Sequence, residues 1–155
     1  MLPLRAWIAC LLLFAASSCS SSKTAAAPVD LDTKFRKFIE GGITLVGRSS
    51  STRSDKISSE ERYTISSASK LTGDTWLLTA KFKYKDQELP IPVPVSVRWA
   101  GDDTPVLCLT DVGVPGMGSY TARVVLHGDQ YAGTWSSSKG GYGGQLFGKI
   151  VRGTP

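Results

Sequence analysis

The chain has 155 residues, 41% of them hydrophobic and 20% charged, with a formal charge of +5. Setting aside an 18-residue leader leaves one domain's worth of chain, long enough to bury a core without disulfide staples. The positive charge is mild and spread out, and its densest run, Lys81, Lys83 and Lys85, sits at strand spacing as one solvated face, which speaks against a nucleic-acid partner.

The chain opens with Arg5, an apolar run from Ala6 to Ala16, and then small residues, the order of a secretory signal over residues 1–18. An apolar run of that length is too short for a permanent transmembrane helix, which needs about 20 residues. Ala16-Ser17-Ser18-Cys19 resembles the bacterial lipoprotein signal, in which a small residue precedes a lipid-modified cysteine. The resemblance implies cleavage before Cys19, lipid on its sulfur, and an exported protein held at a membrane, the outer one if the cell has two. Residues 19–29, beginning CSSSKTAAAP, are small and polar and read as a flexible tether. Cys10 leaves with the leader and Cys19 carries lipid, so Cys108 stands alone and no internal disulfide is expected.

The expected folded domain spans 30–155. Leu31, Phe35, Phe38 and Ile39 fall on one helical face, with Asp30 as cap and Gly41-Gly42 as stop. After Gly42 the apolar period changes to two. Trp76, Leu78, Ala80, Phe82 and Tyr84 alternate with polar residues, and Ile91, Val93, Val95, Val97 and Trp99 alternate with Pro90, Pro92, Pro94, Ser96 and Arg98. Prolines cannot donate to a ladder, so the start of that second strand should be an edge or unpaired stretch. Tyr120, Ala122, Val124 and Leu126 form another inward set. His127-Gly128-Asp129-Gln130 is a tight turn into Tyr131, Gly133 and Trp135. Gly140–Gly144 reads as a loop before Leu146, Gly148 and Ile150, and weaker strands fit 43–49, 61–71 and 104–110.

This predicts an all-β domain: a single antiparallel up-and-down barrel of about eight strands after one short helix, with a β-sandwich as the alternative. Gly42–Arg48 and Tyr131-Ala132-Gly133-Thr134-Trp135 resemble calycin barrels such as lipocalins and avidin, which implies an interior able to hold a ligand. The blocks Trp99–Val106 and Tyr131–Ile150 also resemble secreted bacterial proteins of unassigned activity.

Chemistry-bearing motifs are sparse. His127 is the one histidine and falls opposite the inward face, as a solvated turn residue. Cys108, between aliphatic neighbours, reads as a core thiol; pairing with His127 as nucleophile and base depends on the fold. No serine-hydrolase elbow occurs, and Gly143–Lys149 lacks the hydroxyl residue of a phosphate-binding loop. The ligand set for zinc is missing, and Gly101-Asp102-Asp103 is simpler as a turn than as a calcium loop, so neither metal nor cofactor is expected. The remaining candidates for contact with a small apolar or aromatic ligand are Trp76, Phe82, Tyr84, Trp99, Tyr120, Tyr131 and Trp135. Residues 111–119, rich in Gly and Pro, are expected as a loop at the mouth of such a pocket.

Overall fold

A computed structural model describes residues 30–84, 87–114 and 116–153, without the side chains of 82–89. The leader, the tether with Cys19, and the side chains of Phe82 and Tyr84 lie outside the described residues.

The helix α1 (Leu31–Ile39) forms where cap and apolar stripe coincide. The Asp30 carboxylate accepts from the backbone N–H of Asp32 and Thr33 at 3.1 and 3.2 Å, satisfying two of the free donors at the helix start. Phe35 and Ile39 are buried, and Gly41 and Gly42, both with positive φ, turn the chain out of the helix.

Eight strands follow: β1 (Ile43–Ser49), β2 (Glu61–Thr72), β3 (Thr75–Tyr84), β4 (Gln87–Trp99), β5 (Pro105–Val114), β6 (Gly118–His127), β7 (Gln130–Ser137) and β8 (Tyr142–Arg152). Each pairs antiparallel with the next, and β8 returns to β1, closing a barrel and excluding the sandwich. The β6–β7 turn falls at His127–Gln130, with positive φ at Gly128 but not Asp129, the II′ pattern that suits twisted hairpins.

Two expectations on strand ends are corrected. β8 starts at Tyr142, so Gly143 and Gly144 are ladder residues opposite Ser136 and Trp135 rather than loop. A Cβ on Gly144 would stand 1.9 Å from the Ser50 carbonyl oxygen, so glycine permits the close approach of the chain there. Likewise β5 runs to Val114 instead of stopping before residue 111. Between Leu109 and Val112 it bulges, with Asp111 at φ +53 and its N–H donating to Thr121 Oγ1 at 3.1 Å.

The prolines of β4 split the wall between β4 and β5. Val97 N–H bonds back to the Asp74 carbonyl, so odd residues of β4 face β3 and even ones face β5. Pro90, Pro92 and Pro94 therefore present their missing donors to β5. The β4–β5 ladder accordingly covers only Ser96–Trp99 against Pro105–Cys108, whereas β3 pairs along β4 from Gln87 to Ser96. The seam is laced beside α1 and parted at the far end.

Candidate functional site

The interior has two ends of different chemistry. Beside α1 it is apolar and packed: Phe35, Ile39, Ile43, Trp76, Val95, Val97, Leu107, Leu126 and Ile150 form one buried cluster. Phe35 meets Trp76 edge-on, with ring centroids 4.9 Å apart. Arg152 stacks on Phe38 and donates to its carbonyl at 2.9 Å, and Lys34 reaches the Asp102 carbonyl at 2.6 Å, fixing the helix over the barrel's end.

Toward the far end the inward positions turn polar and aromatic. Register places Ser49, Tyr63, Tyr120, Trp135, Ser137 and Tyr142 on the inner face with Glu61 beside them, while inward Tyr131 stands opposite Leu126 in the packed cluster. Tyr63 Oη donates to Glu61 Oε2 at 2.6 Å, and Ser49 Oγ donates to Glu61 Oε1 at 2.9 Å. Tyr63 keeps 38% of its surface accessible, yet desolvation pushes its phenol well above the usual tyrosine range, with Glu61 adding to the shift.

Two buried polar atoms of the barrel's inner wall, Tyr131 Oη in the packed cluster and Trp135 Nε1 toward the far end, have no hydrogen-bond partner among the described residues. Tyr131 is 3% exposed, and its hydroxyl lies 2.5 Å from where a Cβ on Gly47 would stand, so it occupies space that glycine leaves free inside the barrel. Trp135 Nε1 lies 3.1 Å from the equivalent point over Gly144. Leaving such groups unpaired costs about 1–3 kcal/mol each. Replacing Tyr131 by Phe keeps the ring and removes the orphan. The expected result is a ligand-free domain about 1 kcal/mol more stable, seen as a melting temperature a few degrees higher. A loss of similar size would show that the hydroxyl is satisfied.

Burial, and then the Glu61 charge, push the Tyr131 phenol up to about 12 from its ordinary 10. The neutral phenol is thus favoured in the folded state. Its contribution to stability is complete below pH 10 and is lost as pH climbs from 10 to about 12. Phenolate absorbance should therefore show Tyr131 and Tyr63 ionising late, and Tyr131→Phe should flatten the alkaline fall in stability. Ordinary titration of both rings would contradict their burial.

The mouth is an open depression of about 460 Å³ lined by Arg53, Met117, Tyr120, Lys139, Gly140 and Tyr142. Arg53 lies 3.9 Å over the Tyr142 ring and donates to the Gly140 carbonyl at 3.0 Å. Tyr142 meets Trp135 edge-on at 5.6 Å, and Tyr120 stands 6.3 Å from Trp135. Neither Arg53 nor Lys139 forms a salt bridge among the described residues.

The sequence candidates therefore divide. Tyr120 and Trp135 share the far end, Trp76 is core beneath α1, Tyr131 stands opposite Leu126 in that same buried cluster, and half-buried Trp99 packs on it. Ser49, Arg53, Glu61, Tyr63, Lys139 and Tyr142 were not candidates from sequence. Tyr63 and Tyr142 could have been, since each continues a period-two set, with Ile65 and with Leu146 respectively.

Cys108 is half-buried rather than core. Leu107 takes the inward place, and Cys108 faces outward opposite Ser96 and Arg123. His127 lies four residues beyond Arg123, roughly 13 Å along the strand, so the two cannot act as nucleophile and base. Thr104 Oγ1 donates to Asp103 Oδ1 and stands 2.8 Å from His127 Nδ1, which makes Nδ1 the protonated nitrogen of the exposed imidazole. No group of three His, Cys, Asp or Glu side chains suited to a metal occurs among the described residues.

Fold and site together define a closed, eight-stranded antiparallel barrel, plugged at one end by a helix and lined at the other by aromatic and polar side chains. No protein-family model, curated protein or solved structure matches the chain.

Proposed function

We propose that the protein is exported, is tethered to an envelope membrane by lipid on Cys19, and binds a small apolar or aromatic ligand in the far end of its barrel. The buried, unpaired indole N–H of Trp135, beside the rings of Tyr120 and Tyr142, carries the binding reading, because a polar atom kept dry without a partner suits a site that a ligand completes. The lipoprotein-type signal before Cys19 and the polar tether after it support the anchor.

Native mass spectrometry of the Cys19→Ala protein, purified without detergent, tests the binding reading. A small mass should travel with the protein. A bare mass, with tryptophan fluorescence unmoved by aromatic probes, would overturn it. Fractionation of the same variant tests the anchor: the folded domain should leave the membrane fraction, and retention there would contradict lipidation.

A second reading, an interaction protein with a filled core, is favoured by one feature. Val125, Ala132 and Phe147 stand side by side on the outer face, and Val125 and Phe147 are well exposed. Under that reading the bare mass is the expected result.

A further inference from the structure

We infer, resting on the ligand-binding reading, that the ligand is an anionic aromatic molecule, held with its charged group at the mouth and its ring body inward.

Three features set that polarity. The mouth carries Arg53, stacked on the Tyr142 ring, and Lys139, two cations without a salt-bridge partner among the described residues, in one depression with Tyr120. Behind them, Trp135 offers a buried indole N–H, which can only donate and so asks for an acceptor on the ligand. Deeper in, the Glu61 carboxylate is held by Ser49 and Tyr63, and its charge acts on Tyr131. An anion entering fully would meet Glu61, and a cation would be repelled at the mouth. An anionic group left outside satisfies both, while its ring lies against Trp135 and Tyr142.

Two probes with one ring skeleton test this: 8-anilinonaphthalene-1-sulfonate, which is anionic, and N-phenyl-1-naphthylamine, which lacks the sulfonate. Both are titrated into the detergent-free Cys19→Ala protein and followed by fluorescence and calorimetry. The sulfonate should bind saturably at one site, at least tenfold more tightly than the neutral amine. Arg53→Gln with Lys139→Gln should weaken the sulfonate about tenfold and leave the amine within twofold. Lys139→Gln alone, which keeps the Arg53–Tyr142 stack, should give a smaller loss in the same direction. Equal affinity for the two probes, or a double variant that keeps its sulfonate affinity, overturns the anionic preference while leaving the pocket standing. If neither probe binds saturably, the preference and the pocket fall together.

Discussion

Trp76→Ala should cost the domain about 3–5 kcal/mol, the usual range for emptying a large aromatic site in a core. Trp76 is 1% exposed and joins helix to barrel. Phe35 packs edge-on against its ring, Arg36 and Lys70 lie 5.1 and 4.8 Å from the ring centre, and Lys70 also reaches Asp32 at 2.5 Å. Without the indole, α1 loses its seat and two cations lose the π face beneath them. Against a total stability of about 5–15 kcal/mol, the variant should unfold at much lower denaturant concentration and show a looser helix by hydrogen exchange. Trp99→Ala, at a half-buried position, should cost less. A Trp76→Ala loss below about 1 kcal/mol would mean that the helix does not plug the barrel.

Gly47→Ala is expected to cost about 1–3 kcal/mol, although it adds a single methyl group. That carbon would stand 2.1 Å from the Phe147 carbonyl oxygen and 2.5 Å from Tyr131 Oη. The tyrosine could swing aside, but the carbonyl belongs to the neighbouring strand, so β1 and β8 must separate as well as Tyr131 leaving its place. Urea unfolding should show the loss, and the alkaline titration of Tyr131 should move back toward the ordinary tyrosine range. Gly113→Ala is the control, with nothing within 4 Å of the added carbon and ordinary backbone geometry, and it should be close to neutral. Equal stability of the two variants would contradict the packing of Tyr131 against the β1–β8 wall.

Where one residue's chemistry and spacing decide the outcome, the structure was legible in the sequence. Asp30 before an apolar stripe gives α1, the alternating prolines give the half-unpaired β4, and Gly128 gives the β6–β7 turn. The strand alternation gave the barrel class, and the β1 limits match the expected 43–49.

Less legible were features set by register. Asp111 in a left-handed conformation lets β5 bulge and continue, whereas its Gly- and Pro-rich surroundings read as loop. The shift between Ile65 and Ser67 changes which residues of β2 face inward, so Ala68 and Lys70 take up the inner row after Tyr63 and Ile65. Glu61 and Ser49 are polar, so a period-two reading puts them outside; their bonds to each other and to Tyr63 make the inner position tolerable. Arg53 and Lys139 come from turns far apart in the chain, and closure of the barrel brings them to one mouth. The aromatic candidates looked like one set, and only strand direction separates Trp76 at the helix end from Trp135 at the other.

That separation can be tested with nitrogen-15 spectra of the indole N–H groups of Trp76, Trp99 and Trp135, recorded as 8-anilinonaphthalene-1-sulfonate is added. Trp135→Phe identifies its own signal by removing it. The Trp135 signal should shift in proportion to occupancy while that of Trp76 stays in place. Probe bound with Trp135 silent and Trp76 displaced would put the site at the helix end and contradict a binding recess opposite α1.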